Sequence, residues 1–183
     1  MSTLFPVTIG SVTIFGTEIA GCTRHTRLVT ERAAVMSLIN QVFGPTAMLS
    51  HTPHGAPFIA DNPTRISISH GAGLAILATS PDTPIGIDVE CWRDQLLHVT
   101  HKFLTPDEQT AFATDRVLLL KAWTAKEAVY KAASTPGLSL TDIHLDLSTT
   151  PAQASISGTD RTYTLHHIDR FPVIITLALQ KIG

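Results

Sequence analysis

Two short stretches in the middle of the chain hold side chains whose spacing suits phosphate chemistry. In Ile85–Cys91 (IGIDVEC), Asp88 and Glu90 stand two apart, so on a strand they share one face while Ile87 and Val89 take the other. Adjacent carboxylates repel, and a hard divalent cation, Mg²⁺ or equally Mn²⁺, relieves that repulsion through oxygen ligands. The competing explanation is the exposed polar face of a half-buried sheet. Further on, Trp123, Glu127 and Lys131 recur at i, i+4 and i+8 and form one stripe of a helix, with Lys126 and Tyr130 beside it. Glu127 could be a third metal ligand, and Lys126 and Lys131, as point charges, could hold phosphate oxygens. Equally, Glu127 and Lys131 make an ordinary i, i+4 pair worth about 0.3 kcal/mol, with Trp123 a core anchor. Ser69 and His70 end an alternating segment (RISISH) and are further candidates for phosphate contacts.

The surrounding pattern predicts the elements that must position these groups. Ser11 to Ile19 alternates as a strand, and Thr30 to Phe43 has helical apolar spacing, stopped by Gly44-Pro45, with its start between Arg24 and Thr30. Pro53 to Pro63 is turn-rich. Arg65 to His70 and Leu74 to Ser80 read as a hairpin, and Ile85–Cys91 as a further strand. Thr105-Pro106-Asp107-Glu108 is a helix-start signal, and a long helix follows from Arg116 to Ala133, ended by Pro136-Gly137. The tail returns to strands within Ile143 to Leu147, Ala152 to Ser157, Tyr163 to Ile168 and Val173 to Gln180. This order is α+β. Parallels such as Gly16-Thr17-Glu18-Ile19 with Gly86-Ile87-Asp88-Val89 hint at duplication, which predicts two α+β halves, 1–84 and 85–183, packed as one unit.

Composition narrows the function. Of 183 residues, 13 are Lys or Arg and 15 are Asp or Glu, so charge is sparse, while 44 % hydrophobic residues suffice for a core. Thirteen of those charges, including four of the five lysines, lie between Gly86 and Lys131. A net charge of −2 argues against a nucleic-acid surface. No apolar run is long enough to span a membrane and no secretion signal opens the chain, so a cytoplasmic protein without a membrane partner is expected. Two cysteines, Cys22 and Cys91, make no disulfide framework, and the histidine pairs His51/His54 and His166/His167 do not converge as a zinc site.

Gly86-Ile87-Asp88-Val89-Glu90, then 32 intervening residues, then Trp123-Thr124-Ala125-Lys126-Glu127-Ala128-Val129-Tyr130-Lys131, resembles the GIDxE and WxxKEAxxK pair of the 4′-phosphopantetheinyl transferases. Ile66 to His70 resembles that family's SxSH element, and Gly55-Ala56-Pro57 its GKP turn. With 85 residues ahead of the GIDVE run, the resemblance points to the larger, pseudodimeric Sfp-type subclass. It implies two similar halves related by a pseudo-twofold, each a small antiparallel sheet packed on a long helix, with the active site in the cleft between them.

What the resemblance implies is a holo-[acyl-carrier-protein] synthase type of activity, transferring 4′-phosphopantetheine from coenzyme A to a serine of an apo acyl or peptidyl carrier protein. Asp88, Glu90 and Glu127 would hold Mg²⁺. Arg32, Ser69, His70, Asp88, Lys126 and Lys131 would bind coenzyme A, with Arg24 or Arg27 as looser alternatives to Arg32. Glu127 or Glu90 would take the serine proton, and Lys131 would offset charge on the leaving phosphate. Lys102, Arg116 and Lys121 are candidates for the rim that meets an acidic carrier, and a pseudodimer would act as a monomer. Glu108, in a stretch like the family's F-x-x-x-x-E, reads first as a helix-start acid. Ala56 in place of the GKP lysine, and Gly71 after His70 where a serine is common, depart from the pattern. They leave open a catalytically decayed coenzyme A-binding module. A phosphohydrolase using the same three carboxylates is the third reading.

Overall fold

The computed structural model describes residues 5–20, 23 and 25–181. Gly21, Cys22 and Arg24 lie outside the described residues, so the Arg24 alternative has no structural account. A short hairpin opens the fold, β1 (Val7–Ile9) against β2 (Val12–Glu18). Alternation in the sequence marks β2 but not β1, whose three residues are too few to show a period. Helix α1 (Arg27–Phe43) buries Val35, Leu38 and Ile39 at the predicted spacing, and Gly44 at φ 93° ends it. The turn-rich stretch contains an unpredicted pair of short strands, β3 (Leu49–His51) and β4 (Pro57–Ile59).

The hairpin β5 (Arg65–Gly71) and β6 (Leu74–Ser80) turns through Ala72 and Gly73, both at positive φ. Strand β7 spans Ile85–Cys91, as its sequence predicts. Short helices α2 (Gln95–His98) and α3 (Pro106–Phe112) follow, the latter opened by a capping box between Thr105 and Glu108. Helix α4 (Arg116–Ala133) starts on the Asp115 carboxylate, which accepts from the Val117 and Leu118 N–H groups. Strands β8 (Ile143–Asp146), β9 (Ala152–Ile156), β10 (Thr162–Arg170) and β11 (Val173–Gln180) complete the chain.

Two antiparallel sheets result, ordered β1-β2-β6-β5 and β7-β11-β10-β9-β8, and sheet membership changes between Ser80 and Ile85. Strand parity decides the layers. Val12, Ile14, Ile76 and Ala78 meet Ile85, Ile87, Val89, Ile175 and Leu177 in one core between the sheets. The opposite face of the first sheet, through Ala75 and Leu77, packs on α1, and that of the second, through Ala178 and Leu165, packs on α4. The order helix, sheet, sheet, helix agrees with an α+β fold of two small antiparallel sheets, each on a long helix.

The edges of the two sheets also meet, β5 alongside β7. A strand edge presents unpaired backbone groups, and here serines satisfy them: Ile87 N–H donates to Ser67 Oγ (3.0 Å) and Val89 N–H to Ser69 Oγ (3.3 Å). Gly71 permits the approach, because a Cβ there would lie 2.6 Å from the Val89 carbonyl oxygen. The serine common in the family at this position does not fit beside β7.

Candidate active site between the two sheets

Strand β7 and helix α4 hold the acidic residues, and their close approach is written into Gly86. A Cβ at that position would lie 1.8 Å from the Ala128 carbonyl oxygen, so only glycine lets the helix lie directly on the strand. Ala125, Ala128 and Ala132 are fully or nearly fully buried on the same helix face. The contact brings Glu127 and Lys131 over the face of β7 that carries Asp88 and Glu90.

Asp88 is buried and lies at the junction of both halves. Its Oδ1 accepts from Ser69 Oγ (2.9 Å) and Lys131 Nζ (2.8 Å), and its Oδ2 is buried with no hydrogen-bond partner. Lys131 also donates to the Ile87 carbonyl (3.0 Å) and to Ser69 Oγ (3.2 Å). Thus Ser69 from the N-terminal sheet and Lys131 from α4 grip one carboxylate across the seam.

The half-buried Glu127 carries uncompensated charge. Burial and then the Asp88 carboxylate push its pKa above the usual carboxylate range, with Lys131 opposing and Glu90 adding to the rise. Burial likewise raises the pKa of Glu90, against the Arg93 guanidinium, whose Nη2 donates to Glu90 Oε2 at 2.9 Å. Two half-buried carboxylates whose pKa values are raised by burial and by the neighbouring Asp88, with one buried Asp88 oxygen unpartnered, have the donor chemistry a hard divalent cation takes. Among the described residues, however, no three His, Cys, Asp or Glu side chains are gathered into a ready-made metal centre.

Lys126 is not brought to this cluster. It is completely buried, and Nζ donates to Glu108 Oε2 (2.6 Å), the Ile143 carbonyl (2.6 Å) and the Leu140 carbonyl (3.1 Å). Its ammonium is closed off from solvent and from the groove, which Lys126 does not line, so the expected phosphate contact from Lys126 is not available in this arrangement. Successive residues of a helix point about 100° apart, and Lys126 therefore faces α3 and β8 while Glu127 faces β7. Burial lowers the Lys126 pKa and the Glu108 carboxylate opposes that fall. Glu108 also accepts from Thr105 N–H (2.9 Å) and Leu145 N–H (3.0 Å), which makes it a structural hub as well as a helix-start acid.

A groove of about 1350 Å³ runs between α1 and β5 on one side and β7 and α4 on the other. Arg32, Ser69, His70, Asp88 and Lys131 line it, as does Ala56 of the GKP-like turn; Glu90 and Glu127 are not part of its wall. Arg27 pairs with Glu31 (2.8 Å), and His70 Nδ1 lies 3.3 Å from the other Glu31 oxygen. Glu31, which the motifs do not single out, is buried on α1. The only local signal was an acid at a position that faces the helix's apolar side, four before Val35. Of the rim candidates, Lys121 is paired with Asp169 (2.8 Å), Arg116 lies over the Trp92 ring (5.4 Å), and Lys102 is exposed. No helix among the described residues is long and apolar enough to cross a membrane.

Comparison with known proteins agrees with this geometry. No curated protein matches the chain. A family model for the 4′-phosphopantetheinyl transferase superfamily matches residues 84–176, just over half of the chain, running from the start of β7 into β11 and so including the whole acidic cluster. The family's reaction is phosphopantetheinyl transfer, with coenzyme A as substrate. With β7 and α4 both inside that match, the chain belongs to the 4′-phosphopantetheinyl transferase superfamily.

Proposed function

We propose that this protein transfers the 4′-phosphopantetheine of coenzyme A to a serine hydroxyl of an apo acyl or peptidyl carrier protein, with Mg²⁺ (or Mn²⁺) as cofactor, as a pseudodimeric monomer of the larger subclass. Adenosine 3′,5′-bisphosphate leaves. The observation that carries the reading is Asp88, held between Ser69 of one sheet and Lys131 of α4 at the floor of the groove. The matching element order of the halves 1–84 and 85–183, strand, helix, then a hairpin whose second strand pairs with the first strand, supports a pseudo-twofold.

Asp88, Glu90 and Glu127 would hold the divalent cation, which when bound neutralises charge on the pyrophosphate. Lys131, partly exposed on the groove wall, would exchange its Ser69 and Ile87 contacts for phosphate oxygens, orient them and offset charge on the leaving phosphate. Arg32 and His70 on the opposite wall bind the nucleotide end of coenzyme A. Glu127 accepts the serine proton, because Glu90 is committed to the Arg93 guanidinium. Ser69 positions Asp88 rather than gripping phosphate alone.

The test is mass spectrometry of a panel of apo carrier proteins incubated with the protein, coenzyme A and Mg²⁺. One phosphopantetheine per carrier is expected; no gain on any carrier overturns the reading. The sequestered Lys126 favours one alternative, a decayed module that binds coenzyme A without transferring from it. Calorimetric uptake of coenzyme A with no mass gain would decide for that module.

A further inference from the structure

A buried carboxylate is the opposite of what a groove for a polyanion requires, and Glu31 places one in its wall. Both of its oxygens are committed to cations. Oε1 accepts from Arg27 Nε at 2.8 Å, one turn earlier on α1, and Oε2 lies 3.3 Å from His70 Nδ1 at the end of β5, an ion pair when the imidazole is protonated. The burial is graded: the Glu31 side chain is 7 % exposed, His70 45 % and Arg27 57 %. The acid therefore lies beneath and its partners' heads lie outward, His70 and Arg32 on the groove and Arg27 outside its lining. Solvent and any ligand in the groove meet cations, while the buried carboxylate holds them in place.

The contact also joins two elements. Glu31 fastens α1 to β5 at His70, and the neighbouring residue, Ser69, bonds Asp88. We propose that Glu31 is a positioning residue for coenzyme A, holding His70 on the groove wall for the phosphate-bearing end of that co-substrate. The assignment rests on the transferase reading. It separates the binding wall, which depends on Glu31, from the acidic cluster across the groove, which does not contact it.

Three variants test this: Glu31→Gln, which keeps the shape and removes the charge, His70→Gln, and the two together. Transfer kinetics with a fixed carrier should show the KM for coenzyme A raised about tenfold in Glu31→Gln, with kcat within about twofold of wild type. The double variant should be within about twofold of His70→Gln alone, because the first acts through the second. Titration of coenzyme A calorimetrically, without carrier, should report the same loss of affinity. An unchanged affinity in Glu31→Gln overturns the assignment while leaving the transferase reading intact. A fall in kcat and melting temperature that adds fully to His70→Gln overturns it in favour of a general structural role. A wild-type protein that takes up no coenzyme A overturns the transferase reading, and the assignment with it.

Discussion

Asp88 and Lys126 illustrate how differently two charged residues of one motif region can be used. Asp88 is buried and satisfied at one oxygen only, by one group from each half. Asp88→Ala should lower kcat/KM for carrier modification at least about a hundredfold, as expected for removing an electrostatic stabiliser from a reaction centre. Its effect on melting temperature should be small, because repulsion with Glu127 and Glu90 is relieved at the same time. Lys126 should behave the opposite way. Lys126→Met leaves the Glu108 carboxylate buried without its cation, and should cost about 3 kcal/mol in urea unfolding. Adding Glu108→Gln should recover part of that loss. A lysine serving phosphate would instead lose activity with stability unchanged.

At the scale of elements, one strand and one helix hold the site, and their distance is set by a missing side chain. Gly86→Ala directs a methyl at the Ala128 carbonyl and the Ala132 N–H, backbone atoms that cannot rotate away. We expect a loss of about 3 kcal/mol by chemical denaturation, with α4 displaced from β7. Activity at a temperature where the variant is still folded should fall further than the folded fraction does, because Lys131 and Glu127 move with the helix. At the edge of β7 away from β11, Gly71 plays the corresponding part for β5, so the strand's approaches to α4 and to β5 both depend on glycine.

Across the whole molecule, the half-buried His167 records how the second sheet and α4 close on each other. Its Nδ1 lies 2.9 Å from Thr176 Oγ1, which in turn lies 2.7 Å from Thr124 Oγ1 of α4, and its Nε2 is buried without a partner. Burial, then the Lys121 ammonium, lower its pKa from 6.5 to about 4. The unfolded chain therefore binds a proton between pH 6.5 and pH 4 that the folded chain refuses, so this stabilisation is complete above pH 6.5 and lost as pH falls to about 4. At about 1.4 kcal/mol per unit, the loss is ~3 kcal/mol. Glu90 and Glu127, with raised pKa values, act in the reverse direction, so the measurement is a difference: wild type minus His167→Gln in urea melts across this range. The difference should narrow as pH falls.

The local pattern of the chain was enough to determine β7, α4, the β5–β6 hairpin and the spacing that puts Asp88 with Glu90 on one strand face and Glu127 with Lys131 on one helix face. Strand parity and helical periodicity are properties of neighbours in sequence, and these elements carry strong apolar patterns. The α+β class and the family followed from the same residues. Only the tertiary structure decided what lies opposite each face. It sent Lys126 to Glu108 and two carbonyls of the segment from Leu140 to Ile143, a third of a turn away from Glu127. It used Ser67 and Ser69 to satisfy a strand edge, and it gave Glu31 two cations, one of them 39 residues away in sequence. Such pairings depend on where distant segments close and which buried groups still lack a partner there, and neither condition is expressed in the residues adjacent to them.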